Sequence, residues 1–425
     1  MEIKKKKIKL VTFAPHPNFG TCLQSYALNK VLTDMGHDVE FIYNGREKPS
    51  KGILFYIKKK IKQMIKASLP SSIVKDIQQK NLKKIEAQKN LPPNILILPD
   101  SRFRFFLSRL PFYNSIYKFL KCRTLQWKKV WKFTFEDGNY HMKRLYCKEQ
   151  YDEVVADADL FITGSDQIWN PYCGGFNPMM FLEFAGDKKR VSYSSSISRP
   201  NFPKEVEERV KNDLSRFQYI AVREKKSVEL LKEMLGRDDI QLVVDPTYLL
   251  STEEWMEFGN RAKIEFELPE RYIFCYFIGI TRKDEYNEMV ENVKKHTGIQ
   301  QVISIDCIGS NYNYGKGVVY KDGGPYEFIH LLSHASYVCM DSFHATVFSL
   351  KFHKDFVHML KSKNDSSATS QNSRMYDMLN HYNLDYKLYD AATSDWQQPV
   401  DFKKVDIIID EEIKHSIAFL KMELC

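Results

Sequence analysis

The chain has 425 residues, of which 43% are hydrophobic and 28% charged, with a formal net charge of +9. This length exceeds the usual size of a single hydrophobic core, so two domains are expected, and the apolar content excludes a disordered chain. No run approaches the roughly 20 consecutive apolar residues of a membrane-spanning helix, and eight cysteines without a CxxC pair favour a reduced, cytoplasmic protein.

The first residues predict the opening of a doubly wound α/β sheet. Residues 8–13 have the composition of a strand, residues 21–35 have the apolar spacing of a helix, and residues 39–43 form a second strand. The loop before the helix contains Asn18 and Gly20. Backbone N–H groups at such a helix start can bind an anion, although the loop has no GxGxxG or P-loop pattern.

A strongly basic segment interrupts this pattern between about residues 46 and 145. From Arg46 to Lys132 there are 22 Lys or Arg residues against 4 Asp or Glu residues. Two interpretations stay open: an amphipathic helical insertion that lies on an anionic membrane surface, or a helical subdomain that packs on its own sheet with solvated lysines. No RNP, helix-turn-helix or zinc signature accompanies the charge, so no nucleic-acid partner is predicted.

From residue 151 the alternation of strands and helices resumes and predicts parallel sheets covered on both faces. The fold class is therefore α/β, with two doubly wound Rossmann-like domains facing a cleft. The predicted N-terminal domain is 1–250 and includes the insertion, a crossover linker follows at 251–269, and the C-terminal domain is 270–425. Its last helix, at 411–422, can pack back on the first domain. The predicted strands are 160–163, 190–194, 219–222, 242–244, 272–278, 301–305, 337–341 and 355–360, and the predicted helices are 205–217, 227–235, 282–296, 325–335 and 344–351.

Two polar clusters directly follow short apolar runs that predict buried strands. The sequence GSDQIWN at 164–170 follows residues 160–163, and DSFHAT at 341–346 follows residues 337–340. Open α/β sheets hold their ligands beyond the carboxyl ends of their strands. We therefore expect both clusters to line one cleft between the two domains.

An ordered series of motifs resembles the polysaccharide pyruvyl transferase family. Because the blocks occur in the expected order over most of the chain, except near 46–132, the series is far more specific than any single block. The blocks are Asn18-Phe19-Gly20-Thr21 leading into Leu23-Gln24-Ser25-Tyr26-Ala27-Leu28, GSDQIWNP at 164–171, SYSSSIS at 192–198, Val222-Arg223-Glu224, Asp245-Pro246-Thr247, DSFHATVFS at 341–349 and Asn372-Ser373-Arg374.

The resemblance implies a fold, a reaction and partners. The fold would be GT-B-like. Phosphoenolpyruvate would be the co-substrate, with no cofactor and no metal, and would transfer its pyruvyl group to two hydroxyls of one sugar, releasing phosphate. The acceptor would be a hexose or N-acetylhexosamine in a lipid-linked or nucleotide-linked precursor of a capsule or exopolysaccharide. Such an enzyme would be cytoplasmic and could be peripheral at the inner face of the cell membrane, where the basic insertion would have a role.

The reaction implied by the resemblance requires a general acid for the enol carbon and fixed cations for a dense anion. His344 is the predicted acid, because imidazole titrates near neutrality; a structural histidine is the alternative. Arg223 is predicted to bind the donor phosphate or carboxylate, and an ion pair with Glu224 is the alternative. Asp341 is predicted to orient His344 or to stabilise its charged form.

Ser342 marks a departure from part of the family, in which other members carry an arginine two residues before the motif histidine. The donor geometry can therefore differ, and Ser342 itself, local backbone N–H groups or nearby cations can take the place of that arginine. The predicted donor-binding residues besides Arg223 and His344 are Ser342, Arg374, Asn18 and Gly20, with Lys361 and Lys363 as further cations.

Asp166 is predicted to accept hydrogen bonds from a sugar hydroxyl or to deprotonate it, and a structural turn is the alternative. Trp169 is predicted to offer its face to the C–H side of a pyranose. Asp245 is expected to fix the domain junction. The other predicted acceptor-binding residues are Gly164, Ser165, Gln167 and Ser195.

Two other functions remain open. A glycosyltransferase that uses a nucleotide sugar would have the same fold, and binding of uracil or guanine nucleotides would distinguish it. A non-catalytic, membrane-associated assembly protein would bind no phosphate-bearing donor, although the presence of both Arg223 and His344 argues against it.

Overall fold

The computed structural model describes residues 5–13, 17–44, 102–110, 112–170, 176–279, 282–305, 317–320, 322–362 and 372–424. The described residues form two parallel β-sheets with helices against them. The strands are β1 Lys7–Val11, β2 Asp38–Asn44, β3 Met142–Leu145, β4 Leu160–Thr163, β5 Lys189–Ser195, β6 Tyr219–Val222, β7 Gln241–Leu242, β8 Ile273–Tyr276, β9 Val302–Ile305, β10 Val318–Tyr320, β11 Tyr337–Met340 and β12 Phe356–His358.

Thirteen α-helices connect or flank these strands within the described ranges. They are α1 Phe19–Asp34, α2 Arg102–Ser108, α3 Tyr113–Lys121, α4 Leu125–Trp131, α5 Lys148–Asp157, α6 Lys204–Leu214, α7 Lys225–Leu235, α8 Thr252–Gly259, α9 Lys283–Thr297, α10 Pro325–Ser333, α11 Phe343–Lys351, α12 Ser373–His381 and α13 Phe402–Leu424.

Both sheets have the strand order of doubly wound folds. The first sheet runs β3-β2-β1-β4-β5-β6-β7 and the second runs β10-β9-β8-β11-β12, with parallel pairing throughout. The central strands are nearly continuous apolar runs because both of their faces are covered, as in β4 and β8, whose residues are all buried. The predicted α/β fold class is confirmed by these two parallel sheets.

One apolar core reaches both sheets. The ring of Phe19, in the first turn of α1, lies 5.8 Å from that of Tyr276 at the end of β8 and 5.6 Å from that of Phe328 in α10. Trp255 of α8 lies in the same core and donates its indole N–H to the carbonyl of Thr247 at 2.9 Å. Because the sheets share a core in this way, the division into domains 1–250 and 270–425 stays a prediction.

The predicted crossover at 251–269 is not a plain linker. It contains α8, whose first turn is closed by a capping box in which Ser251 accepts from the backbone of Glu254 and Glu254 accepts from the backbone of Ser251. The Ser-x-x-Glu signature of this box is present in the sequence. Burial of Trp255 and Phe258 then fixes this helix between the two sheets.

The last helix is longer than predicted and changes the end of the first sheet. α13 begins at Phe402, and Ser416 accepts a hydrogen bond from the backbone N–H of Val244 at 3.0 Å. The predicted strand at 242–244 is therefore wrong in extent, because the N–H of Val244 bonds to a helix side chain instead of a strand. The ring of Phe419 lies 6.4 Å from that of Tyr193, so α13 packs on the first sheet.

The insertion ends earlier in the chain than the predicted boundary near residue 145. β3 pairs with β2, which returns residues 142–145 to the first sheet, and α2, α3 and α4 precede it. Residues 46–101, the first part of the predicted insertion, lie outside the described residues. No helix in the described part of the chain is long and apolar enough to cross a membrane.

Candidate active site

The order of the strands reverses between β1 and β4 in the first sheet and between β8 and β11 in the second. A crevice forms at such a position because the neighbouring connections leave on opposite faces of the sheet. Asp166 lies three residues after β4, α1 starts after β1, and His344 lies in the first turn of α11 after β11. The predicted motifs are thus brought to facing edges of the two sheets.

Arg223, directly after β6, is the centre of a buried charge cluster. Its guanidinium lies 2.8 Å from Oδ2 of Asp245, 3.3 Å from Oδ1 of Asp166 and 3.3 Å from Oε1 of Glu224. The ring of Phe343 lies 4.3 Å from its Cζ atom, and only 1% of the side chain is exposed. Three carboxylates and one aromatic ring therefore enclose this cation.

Asp245 connects this cluster to the second sheet. Its Oδ2 atom accepts from Arg223 and from Ser165, the latter at 3.2 Å, and lies 3.5 Å from Nε2 of His344. Its Oδ1 atom accepts from the backbone and hydroxyl of Thr247 at 3.1 and 2.7 Å. One carboxylate thus binds the arginine of the first sheet and lies within ion-pair distance of the histidine of the second.

Gly20 provides the space for the imidazole of His344. A Cβ atom at residue 20 would lie 2.2 Å from Nδ1 of His344, which is closer than any side chain tolerates. The helix α1 has an uncapped N-terminus here, since Asn18 makes no side-chain hydrogen bond to it. The histidine ring is therefore held between the start of α1 and the carboxylate of Asp245.

Asp166 has a backbone conformation that is uncommon for a residue with a side chain. Its φ is 72°, in the left-handed region. Its Oδ2 atom accepts from the hydroxyl of Thr21 in α1 at 3.1 Å, and its Oδ1 atom accepts from the backbone of Gln167 at 2.9 Å. Ser194 and Ser198 beside it also have positive φ values. Strained conformations of this kind concentrate at functional sites.

Attraction within the cluster keeps both aspartates charged. Burial raises the pKa of Asp245, but His344 and Arg223 lower it by more, so the pKa lies below its ordinary value. The same balance lowers the pKa of Asp166, through Arg223, His344 and Arg374. For Arg223, burial lowers the pKa while Glu224, Asp166 and Asp245 raise it above its ordinary value. Asp166, Asp245 and Arg223 therefore carry full charges.

Two cavities open beside the cluster and share Arg374, in the first turn of α12. The Cζ atom of this arginine lies 5.7 Å from the ring of Phe343. The larger cavity, of about 490 Å³, is lined by Arg223, Asp245, Phe343, Arg374, Lys225 and His381. The smaller, of about 240 Å³, is lined by Arg374, Arg199, Lys226, Ser198, Ser373 and Tyr376. Both cavities also contain carboxylates, among them Glu224 and Asp377, so their linings carry both signs of charge. They lie beside the N-terminal ends of α7 and α12, where the helix dipole favours negative charge.

The family model described as polysaccharide pyruvyl transferase matches residues 18–360, which is most of the chain. The chain belongs to the polysaccharide pyruvyl transferase family. The match contains Gly20, Asp166, Arg223, Asp245 and His344, so the residues that build the charge cluster all lie in the family region. Arg374 lies beyond its end.

Comparison with solved structures finds matches at very low identity and with TM-scores below 0.5. A UDP-GlcNAc 2-epimerase from Neisseria meningitidis bound to UDP-GlcNAc has 8% identity and a TM-score of 0.46, with 96% of this chain and 94% of that chain covered. A putative UDP-N-acetylglucosamine 2-epimerase from Listeria monocytogenes has 10% identity and a TM-score of 0.45, with 99% of this chain and 91% of that chain covered. Arabidopsis thaliana UGT89C1 complexed with UDP-L-rhamnose has 10% identity and a TM-score of 0.47, with both chains covered to 100%. A search of curated proteins finds no match.

In this pyruvyl transferase family member, several predicted site residues come together. His344, Arg223, Asp166, Gly20 and Arg374 all border the cluster. Their roles stay predictions. The enclosure of Arg223 by three carboxylates matches the ion-pair alternative for this residue at least as well as direct donor binding.

Asp341 does not contact His344, and the prediction that it orients this histidine is wrong. Its carboxylate accepts from the backbone N–H groups of Ile278 and Gly279 and from the hydroxyl of Tyr286, each at 2.7 Å. Asp341 therefore fixes the loop after β8. Ser342, with 2% exposure, caps the start of α11 only through its backbone.

Most of the predicted acceptor-binding residues lie beneath the site instead of lining it. The indole of Trp169 is 1% exposed, stacks on Phe181 at 5.9 Å and donates to the carbonyl of Met180 at 3.0 Å. It has no face left for a pyranose, because an apolar core encloses it. The other members of this group are equally inaccessible: Ser165 and Ser195 are fully buried, Gln167 accepts from Asn170, and Gly164 is closed off by the carbonyl of Tyr193.

Asp245 and Phe343 are the site residues that sequence reasoning missed. Asp245 is expected from the sequence to fix the domain junction. Its position after β7 and within a family block also indicates a residue of the active site. Phe343 separates Ser342 from His344, so its apolar side chain gave no indication that it would contact both Arg223 and Arg374. Lys361 lies after β12, and Lys363 lies outside the described residues.

Proposed function

We propose that this protein transfers the pyruvyl group of phosphoenolpyruvate to two hydroxyls of a sugar in a surface-polysaccharide precursor, forming a cyclic pyruvate ketal and releasing phosphate. The observation that carries the proposal is the contact between His344 and Asp245 within the family region, at the facing edges of the two sheets. A histidine held by a charged carboxylate is the group that the protonation of an enol carbon requires.

In the proposed reaction His344 gives a proton to C3 of phosphoenolpyruvate, which leaves a cation-like centre at C2. The first sugar hydroxyl bonds to C2 and returns a proton to His344. The bond between C2 and the phosphate oxygen then breaks, and the oxygen of the second hydroxyl of the same sugar bonds to C2. The proton of that hydroxyl passes to the departing phosphate, which leaves as hydrogen phosphate. Asp245 stabilises the charged imidazole each time it forms, because its own pKa stays low.

The proposed donor contact is Arg374 together with the cations of the two cavities. Arg374 borders both cavities, whereas Arg223 borders only the larger one and is already paired with Asp166, Asp245 and Glu224. A guanidinium can bind phosphate or carboxylate oxygens through two parallel hydrogen bonds. We therefore assign Arg223 to holding the carboxylates and Arg374 to binding the donor, which compensates for Ser342 at the position where other members have arginine.

The acceptor in this proposal is a hexose or N-acetylhexosamine of a capsule or exopolysaccharide precursor, linked to a lipid or to a nucleotide. Family membership supports a sugar acceptor in general. With Trp169 buried, the proposed acceptor surface is the mouth of the cluster beside His344. In this proposal the enzyme acts in the cytoplasm, and phosphoenolpyruvate is a co-substrate that no cofactor assists.

Calorimetric titration with phosphoenolpyruvate and, separately, with uridine and guanosine diphosphate sugars tests the donor. We expect saturable binding of phosphoenolpyruvate and a loss of about 1.5–3 kcal/mol in Arg374→Ala, roughly tenfold to a hundredfold in Kd. Arg237→Ala is the matched control, because that arginine pairs with Asp239 at the far end of α7. Binding of nucleotide sugars without phosphoenolpyruvate would identify a glycosyltransferase, and binding of neither would favour an assembly protein.

His344→Gln tests the chemistry separately from binding. We expect this variant to bind phosphoenolpyruvate as the wild type does but to form no ketal. The assay uses a panel of lipid-linked and nucleotide-linked sugars, and follows the ketal by mass spectrometry and the released phosphate in parallel. Turnover in this variant would remove His344 from the reaction.

A further inference from the structure

Large apolar side chains are exposed in one short part of the chain. Among the described residues, ten large apolar side chains are exposed, and seven of them lie between Phe106 and Phe135. We name these seven the exposed aromatic face: Phe106, Leu110, Phe112, Ile116, Phe119, Leu125 and Phe135. Scattered single residues of this kind are ordinary on a soluble protein, but a cluster marks an interaction surface.

The helix α3 shows how unusual this surface is. Phe112, directly before α3, and Ile116 and Phe119 within it recur at i, i+4 and i+7, and they are 73%, 57% and 78% exposed. Lys118 is also exposed and forms an ion pair with Glu136, and the Lys121 ammonium lies 5.5 Å from the Trp127 ring. A surface helix of a soluble protein commonly buries its apolar side chains instead of exposing them.

This surface belongs to a segment that is strongly basic. Residues 102–136 contain nine Lys or Arg residues and a single acidic residue, Glu136. Arg109, Arg123 and Lys128 are exposed beside the apolar side chains. Basic residues next to exposed aromatic residues are complementary to a surface that is apolar inside and negatively charged outside, as an anionic bilayer is.

The segment is fixed to the body of the protein at its far end. Lys129 of α4 donates to the hydroxyl of Tyr320 and to Glu327, both at 2.8 Å. Val130 and Phe133 are buried in the core shared with α1 and α8. Whatever binds the exposed aromatic face is therefore held in a defined position relative to the active site.

We propose that the exposed aromatic face docks this protein on an anionic lipid bilayer, with its apolar side chains among the acyl chains and its arginines and lysines at the headgroups. Charge complementarity distinguishes this occupant from a second copy of the chain, whose same face would carry the same positive charge. The proposal does not depend on pyruvyl transfer, because it concerns a surface outside the charge cluster.

Vesicle co-sedimentation of the full chain tests the proposal. We expect retention on vesicles of phosphatidylcholine and phosphatidylglycerol in equal parts, weak retention on phosphatidylcholine alone, and a decrease as salt shortens the range of the attraction. The variant Phe112→Ser/Ile116→Ser/Phe119→Ser should lose retention. The variant Arg123→Glu/Lys128→Glu should reduce the bound fraction by at least about tenfold.

Matched controls come from α13, on another part of the surface. Ile407 and Met422 are 62% and 67% exposed, so Ile407→Ser/Met422→Ser removes comparable apolar area, and Lys403→Glu/Lys421→Glu reverses two exposed charges. Both controls should bind vesicles as the wild type does, and all variants should keep the wild-type circular dichroism spectrum.

Three outcomes would overturn the proposal. Equal retention on neutral and anionic vesicles would show that the basic side chains do not select an anionic bilayer. A concentration-dependent dimer that the triple serine variant abolishes, with no vesicle retention, would assign the face to a second copy. A lower melting temperature in that variant, again without vesicle retention, would assign it to contact with residues 46–101 of the same chain.

Discussion

Nε2 of His344 lies 3.5 Å from Oδ2 of Asp245, and the same oxygen accepts from Arg223 at 2.8 Å. The two side chains come from different sheets, so this one carboxylate joins the two halves of the candidate active site. It is buried and its pKa is held below the ordinary range. The carboxylate therefore supplies a fixed negative charge at the place where a charged imidazole would form during proton transfer.

Asp245→Asn should reduce both turnover and stability. Loss of the negative charge removes the stabilisation of charged His344, and we expect a decrease in kcat of about a hundredfold or more. It also breaks a buried ion pair, which costs about 3–5 kcal/mol of unfolding free energy. Turnover assays and urea unfolding measure the two effects. As a control, Asp239→Asn breaks an exposed ion pair with Arg237 and should change the free energy of unfolding by less than about 1 kcal/mol. Unchanged turnover in Asp245→Asn would refute the proposal that Asp245 stabilises charged His344.

Gly20→Ala should disable the site through His344. The added Cβ would lie 2.2 Å from Nδ1, so the imidazole must rotate away from Asp245. We expect loss of most ketal formation with retained phosphoenolpyruvate binding. The control is the same change in a His344→Ala background, where the space is empty and Gly20→Ala should have no further effect on stability. An equal stability loss in both backgrounds would show that the glycine is needed for another reason.

Trp169→Ala should destabilise the protein without altering its recognition of sugar. The indole is 1% exposed and packs on Phe181, so its removal leaves a cavity that costs about 3–5 kcal/mol. KM for the sugar acceptor should stay the same in the folded fraction. Trp396→Ala, at an equally buried indole in the second sheet's core, is the control. A raised KM with unchanged unfolding free energy would return Trp169 to the acceptor site.

His358 should make the protein less stable in mild acid. Burial, Lys361 and Arg374 lower the pKa of its imidazole from 6.5 to about 3. Between these two pH values the unfolded chain binds a proton at His358 that the folded chain does not bind. The contribution of His358 to the free energy of unfolding is therefore complete above pH 6.5 and is lost as the pH falls below it. At pH 5 the loss is about 2 kcal/mol.

Urea unfolding at pH 7 and at pH 5 checks this expectation in the wild type and in His358→Asn. The loss of stability between the two pH values should be smaller by about 2 kcal/mol in the variant, because its side chain does not titrate. His353→Asn, which removes an exposed histidine paired with Asp406, should keep the wild-type difference. The same difference in all three proteins would mean that His358 takes up its proton without unfolding.

Local patterns in the amino-acid sequence are sufficient to predict the fold class, the family and the set of polar residues at strand ends. Buried parallel strands are continuous apolar runs, and the residues after them are at the edge where ligands bind. His344, Arg223 and Asp166 can therefore be named from the sequence alone.

Contacts between these residues depend on the tertiary structure. Asp245 and His344 are 99 positions apart in the numbering, and they meet because two sheets pack through a shared core, which no local pattern encodes. For the same reason the sequence could not show that Trp169 faces the core, that Asp341 binds the loop after β8, or that α3 directs its apolar side to solvent. Local patterns determine which elements form, whereas the direction of each side chain is set by packing between distant parts of the chain.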